Sequence, residues 1–109
     1  FTTVVLIVSA KFLRERPDAV AALRKAHRET VAWTLANPTE AKKTVNAAFG
    51  GIGGKALPPK VLDEAWSKMT FTVEPDLPNL QAQADAAFRQ GFLRERPDLS
   101  GFPVSGGGR

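Results

Sequence analysis

The sequence predicts an α/β chain that is mostly helical, with one buried strand and a short second extended stretch. Residues 4–8 are five consecutive apolar residues, four of them β-branched, and such a run favours a strand inside a sheet that is covered on both faces. Much of the later sequence repeats apolar residues at three- and four-residue spacing, which is typical of amphipathic helices. Residues 70–74 form the second strand-like stretch.

The predicted strand needs sheet partners on both edges and layers above and below it. Residues 70–74 offer one short neighbour at most, and the sequence opens at Phe1 directly in strand-like residues. We therefore expect the chain to be a piece of a larger protein, or a chain that is completed by a partner.

Composition narrows the classes of function. With 109 residues, 43% of them hydrophobic and 24% charged, the chain has the make-up of one ordinary globular domain. It contains no cysteine, which excludes disulfides, thiolate metal sites and a cysteine nucleophile. The net charge is +4, but basic residues are interspersed with acidic ones, which indicates a mixed-charge surface and not a nucleic-acid patch.

Four helices are predicted in order along the chain. The first covers residues 18–36, with Pro17 at its opening and an apolar face formed by Val20, Leu23, His27, Val31 and Leu35. The second begins at Pro38, where Asn37 is expected to cap and Glu40 to complete a capping box. The third covers residues 57–68, and the last covers residues 79–90 and ends at Gly91. Residues 103–109 are predicted to be a flexible, glycine-rich tail.

A glycine-rich stretch at residues 50–55 does not fit a nucleotide site. A P-loop needs glycine where this chain has Phe49, and a serine or threonine where it has Ala56. A loose dinucleotide fingerprint fits, but that motif works between a strand and a helix, and here it follows a predicted helix. The stretch is interpreted as a flexible connector.

Seven residues occur twice. The sequence FLRERPD stands at residues 12–18 and again at residues 92–98. A structural repeat would need similar continuations, whereas a long helical pattern follows the first copy and Leu99-Ser100-Gly101 follows the second. The two copies are interpreted as a coincidence of two helix-edge segments.

No catalytic constellation is visible, so the chain is not expected to be an enzyme. His27 is the single histidine and lies on the apolar face of a predicted helix, where a packed, hydrogen-bonded role is the usual one. The carboxylates form no pair with spacing for acid–base work, and no nucleophile elbow occurs. Neither a cofactor nor a metal site is predicted.

The order of several short motifs resembles a known family. These are TVVLIV (3–8), KFL (11–13), RPD (16–18), ANPTEA (36–41), GKALP (54–58), FTVEP (71–75), LQ (80–81), GFL (91–93) and PDLSG (97–101). Over residues 2–102 the chain is similar to the C-terminal portion of the periplasmic substrate-binding proteins of the aliphatic sulfonate, taurine and nitrate ABC importer family.

The resemblance implies a two-lobe periplasmic binding protein fold of type II, in which residues 1–102 complete one lobe. It also implies that the chain is part of the solute-binding component of an ABC importer. That component would lie in the periplasm or be anchored on the outer side of the cytoplasmic membrane. The implied partners are a small sulfonate-like anion, the membrane permease, and either a missing N-terminal part of the same protein or a second copy, with no nucleic acid.

The family's main anion contacts come mostly from outside this segment, so the resemblance carries over no specific ligand residue. The hinge-like Phe71 and Thr72 are the candidate ligand contacts: Phe71 to flank an alkyl chain and Thr72 to donate a hydrogen bond. The alternative is that both residues only build the hinge. Two other functions remain open, a receptor for a thiamine-precursor pyrimidine and a basic helical adaptor that binds nucleic acid.

Overall fold

The computed structural model describes residues 1–102, so the predicted tail at residues 103–109 lies outside the description. Five helices follow one another: α1 (Ala10–Glu15), α2 (Pro17–Ala36), α3 (Pro38–Gly51), α4 (Pro59–Ser67) and α5 (Leu77–Arg89). The chain divides into two compact units. The helical unit is Ala10–Val73, and the α5 unit combines Phe1–Ser9 with the described residues from Glu74 to Phe102.

The helical unit packs consecutive helices against each other, α1 on α2, α2 on α3 and α3 on α4. Its core is small: the three buried apolar residues in the described chain are Val20 of α2, Ala41 of α3 and Leu62 of α4. An ion pair of 2.8 Å between Lys42 and Asp63 ties α3 to α4. One buried apolar residue from each of three helices therefore sets the packing of this unit.

Helix α2 begins where the sequence predicts, with Pro17 in the first turn and Asp18 as an early acidic residue. Its predicted apolar face is covered only in part. Val20 is buried, but Leu23 is 42% and Leu35 61% exposed. His27 and Val31, which lie between them, are half-buried. The described residues therefore cover the predicted face unevenly along the helix.

The junction of α2 and α3 differs from the prediction. Asn37 makes no side-chain cap for α3; instead its amide Nδ2 donates to the carbonyl of Trp33 at 3.0 Å, at the end of α2. Glu40 does not complete a capping box and pairs with Lys43 at 3.3 Å. The predicted capping box is wrong because one asparagine stands between two helix ends, and its side chain binds the preceding one.

Helix α3 continues through Gly50 and Gly51, so the connector is shorter than predicted. Just after the helix ends, the Gly54 N–H donates a hydrogen bond to the Phe49 carbonyl at 3.2 Å. Gly53 has a φ of +96°, a backbone conformation that residues other than glycine rarely adopt.

Helix α5 has a defined cap at each end. The Asp76 carboxylate accepts a hydrogen bond from the Asn79 backbone N–H at 3.0 Å, which satisfies one free donor of the first turn. At the other end Gly91 has a φ of +80°, and the Phe92 N–H donates to the Ala87 carbonyl at 3.0 Å. The predicted stop at Gly91 is confirmed, and its reason is the left-handed conformation that glycine accepts.

The prediction of an α/β chain with a buried strand is wrong for the described residues, because residues 1–102 contain no β-strand. Residues 4–8 are neither helical nor paired, and they are exposed, with Val4 at 86% and Ile7 at 71%. Residues 70–74 also form no strand. The physical reason is that a strand exists only through hydrogen bonds to a neighbour, so β-branched residues alone do not make one.

Candidate functional site

The predicted ligand contacts lie just after α4. Phe71 is half-buried, and its ring lies 5.0 Å from the ring of Trp66, with 48° between the two planes. This tilted geometry is favourable for aromatic pairs. The structure thus brings together Phe71, predicted as a contact, and Trp66 of α4.

Thr72, the next residue along the chain, is exposed. The segment thus offers an apolar aromatic wall and, one residue after Phe71 in sequence, a hydroxyl that can donate and accept hydrogen bonds. Chemically, such a wall suits an alkyl chain or a planar ring, and the hydroxyl suits a polar head group. That Phe71 and Thr72 bind a ligand remains a prediction.

The connector before α4 is held by one side-chain amide. Asn46 of α3 donates from Nδ2 to the Leu57 carbonyl at 2.9 Å, and its Oδ1 accepts from the Leu57 N–H at 2.7 Å. Together with the Lys42–Asp63 pair, this amide sets where α4 begins. Since Trp66 lies on α4, the same contacts position the aromatic wall.

In the α5 unit, one face of α5 binds the start of the chain. The Thr2 N–H donates to Asn79 Oδ1 at 2.8 Å, and Gln83 Nε2 donates to the Thr2 carbonyl at 2.9 Å. Gln83 also donates to Asn79 Oδ1 at 2.9 Å. Both polar groups of one backbone residue are therefore satisfied by side chains four positions apart on a helix.

The opposite face of α5 binds the segment that follows it. Gln81 Nε2 donates to the Pro97 carbonyl at 2.8 Å, while its Oε1 accepts from the Leu99 N–H at 2.8 Å. Asp85 accepts from Gln81 Nε2 at 2.9 Å and from the Arg96 guanidinium through two atom pairs, at 2.9 and 3.1 Å. The hydrogen bonds from Arg96 and Gln81 lower the pKa of Asp85 below its ordinary value.

Between α5 and this segment lies a small apolar hollow of about 200 Å³. Its lining residues are Leu77, Pro78, Gln81, Leu99 and Ser100. The hollow belongs to the α5 unit alone, and the backbone held by Gln81 forms one of its walls.

Sequence reasoning missed this polar network, although a signal was present. Residues 79–85 alternate polar and apolar side chains, with Asn79, Gln81, Gln83 and Asp85 on every second position. On a helix, two positions turn the chain by about 200°, so alternate residues lie on opposite faces and every fourth residue returns to the same face. The spacing therefore predicts one polar pair, Asn79 and Gln83, on one face of the helix and a second pair, Gln81 and Asp85, on the opposite face. It does not predict which groups these pairs bind.

The other candidate chemistries find little support in the described residues. His27 is half-buried on α2, and residues 1–102 hold no group of three or more side chains suited to a metal ion. Nor does any helix within that range have both the length and the apolar character needed to cross a membrane.

Comparison with known proteins gives one match, and it covers the first part of the chain. A family model described as NMT1/THI5 like matches residues 1–41, a stretch that runs from the exposed apolar segment through α1 and α2 into the first turn of α3. No curated protein and no solved structure matches the chain. The match supports the broad family of sulfonate, nitrate and thiamine-precursor binding proteins and does not single out one importer subfamily.

Proposed function

We propose that this chain is part of the solute-binding component of an ABC importer and that it serves to bind a small organic anion, such as an aliphatic sulfonate. The observation that carries the proposal is the NMT1/THI5-like match over residues 1–41. The order of short motifs along the rest of the chain supports it, because it resembles the same group of binding proteins. The proposed location is outside the cytoplasmic membrane, where such a component meets the permease.

The exposure of apolar side chains supports the idea that these residues work inside a larger assembly. Three apolar residues are buried in the described chain, whereas twenty large ones are exposed. A domain of this size normally buries most of its large apolar side chains. Exposed apolar surface on this scale is typical of residues that other protein surface covers.

The ligand class is proposed from the aromatic wall of Trp66 and Phe71. Its rings suit an alkyl chain, and the neighbouring Thr72 hydroxyl suits a sulfonate oxygen. The same wall also suits stacking against a planar heterocycle, which favours a thiamine-precursor pyrimidine as the second candidate. Both ligands fall within the family group that the match supports.

A nucleic-acid function is less well supported. Several basic side chains lie in ion pairs with carboxylates, namely Arg16–Asp18, Lys25–Glu29, Lys42–Asp63, Lys43–Glu40 and Arg96–Asp85. Phosphate binding depends on basic side chains that are available to neutralise backbone charge. The chain is likewise proposed not to be an enzyme, since no candidate constellation for catalysis was found in its sequence.

Calorimetry tests the proposal directly. The full-length protein that contains this chain is titrated with taurine, longer alkanesulfonates, nitrate and a thiamine-precursor pyrimidine at low and high salt. Binding of one of them with little salt dependence is expected, because a site closed off from water is weakly screened. Failure of all four, together with steeply salt-dependent binding of DNA, would replace the proposal by the nucleic-acid adaptor.

A variant pair tests the site. Thr72→Val keeps the shape of the side chain and removes the hydroxyl, and Phe71→Ala removes one ring of the wall. We expect both to weaken ligand binding by roughly tenfold, the cost of one hydrogen bond or ring contact in a closed site. Phe92→Ala is the matched control, because Phe92 is 83% exposed. Equal affinities in all three variants would assign Phe71 and Thr72 to the hinge alone.

A further inference from the structure

In each copy of FLRERPD the second arginine binds a carboxylate through its guanidinium, but the carboxylate lies at a different place in the two copies. In the first copy Arg16 binds Asp18, two residues later, through atom pairs of 3.1 and 3.0 Å. In the second copy the equivalent Arg96 binds Asp85 of α5, eleven residues earlier. Asp98, which matches Asp18, instead accepts from the Ser100 N–H at 2.9 Å.

We propose that residues 96–100 form a strap with two positions. In the latched position, which the structure shows, Gln81 and Asp85 hold the strap on α5. In the released position Arg96 turns from Asp85 to Asp98, the pairing that the first copy shows. The strap then leaves the hollow, and the apolar side chains of α5 beneath it are uncovered.

The latched and released positions differ little in free energy because only a few bonds hold the strap on α5. Gln81 supplies two hydrogen bonds to the strap backbone, and Asp85 supplies an ion pair in which the side chains of Arg96 and Asp85 are 56% and 23% exposed, so that water reaches both. Hydrogen bonds that water replaces on opening stabilise only modestly, and exposed ion pairs contribute little. The strap also has no helix of its own, so holding it costs chain entropy.

The released position is accessible because the sequence already contains its acceptor. Arg96 and Asp98 flank Pro97 as Arg16 and Asp18 flank Pro17. Proline fixes its own φ in both copies, and Arg96 has to reach across only that one residue to meet Asp98. Local pairing offsets part of the interaction that Arg96 loses when it leaves Asp85.

Hydrogen exchange measured by NMR on the full-length protein tests the strap. Gln81→Met keeps the length of the side chain and removes both backbone contacts, and Gln83→Met is the matched control on the opposite face. We expect the Leu99 N–H to exchange about tenfold faster in Gln81→Met and at its original rate in Gln83→Met. The Arg96 Nε–H signal should move toward that of Arg16, the internal reference.

A second variant keeps the test independent of Gln81. Asp85→Asn removes the charge that holds the guanidinium, and it should give the same two changes. Unchanged Leu99 exchange in both Gln81→Met and Asp85→Asn would overturn the proposal. So would faster exchange with Arg96 still on Asp85, because the contacts would then open separately and not as one strap. An equal effect of Gln83→Met would show that α5 itself had melted, and would also count against a latch.

Discussion

Residues 12–18 and 92–98 are identical in sequence and differ in structure. The first copy covers the end of α1 and the start of α2, and the Arg16 N–H closes a helical bond to the Phe12 carbonyl at 2.8 Å. The second copy contains no helix. Its Phe92 N–H instead bonds back to the Ala87 carbonyl in the cap of α5.

The difference shows that neighbouring residues decide the conformation of this heptapeptide. Gly91 precedes the second copy and ends α5 in a left-handed conformation, so residue 92 starts outside a helix. After the first copy, the helix-forming residues of α2 continue the chain, and after the second come Ser100 and Gly101. Identical local propensity thus gives helix ends in one place and an irregular strap in the other.

The largest effect is expected from the residue that anchors the first copy. Val20 is 6% exposed and lies one turn into α2. Val20→Ala should lower the free energy of unfolding by about 1–3 kcal/mol, because buried methyl groups are lost and a cavity remains. Urea denaturation measures this. Leu23→Ala, at a position that is 42% exposed, is the control and should cost clearly less; an equal loss would mean that further protein covers Leu23.

A smaller loss of stability is expected from a substitution that would favour helix in the second copy, as in the first. Gly91→Ala places a Cβ at a φ of +80°, which costs about 1–2 kcal/mol for a residue other than glycine. Space is not the obstacle, since a Cβ at Gly91 meets no atom within 4 Å. Circular dichroism should show either lower stability or extra helix running into residues 92–95. No change in either would show that Gly91 is not what separates the copies.

Much of the fold follows from local sequence signals. Proline in the first turn marks the starts of α2, α3 and α4, and Gly91 marks the end of α5. Each signal acts through the φ that one residue prefers or accepts. Such preferences act within a few residues, which is why periodicity and caps locate helices well.

What the sequence did not predict depends on distant partners. Gln81 binds a backbone N–H 18 residues away, and Asn79 binds one 77 residues away; alternation along α5 indicates two polar faces without naming what they bind. For residues 4–8 the local signal is strong, and it predicts a strand. No strand forms there, because no described segment pairs with these residues. The sequence predicts Phe71 as a ligand contact, whereas its contact with the Trp66 ring is not specified by any local signal.

Acid should separate the two copies further. The pKa values of Asp18 and Asp85 are both lowered by hydrogen bonds from their arginines. Their stabilising contributions are therefore complete above the ordinary value of 3.8 and are lost as the pH falls through the lower folded-state pKa. Because Asp85 holds the strap and Asp18 holds only its own turn, exchange at Leu99 should accelerate in acid before exchange within α2 does. Simultaneous acceleration at both places would mean that acid unfolds the whole chain and that the strap has no separate transition.

The smallest effect is expected from removing the local pair of the first copy. Arg16 and Asp18 are 59% and 70% exposed in their side chains, and exposed pairs contribute little to stability. Asp18 also stands in the first turn of α2, where its charge interacts favourably with the helix N-terminus. For this reason Arg16→Gln is the cleaner change, because it breaks the pair and leaves the helix end intact. We expect its urea midpoint to match that of the unmodified protein, whereas Arg96→Gln should speed Leu99 exchange without shifting that midpoint. A marked loss of stability in Arg16→Gln would show that the first copy also depends on its arginine pair, and the contrast between a local pair and a latch would then disappear.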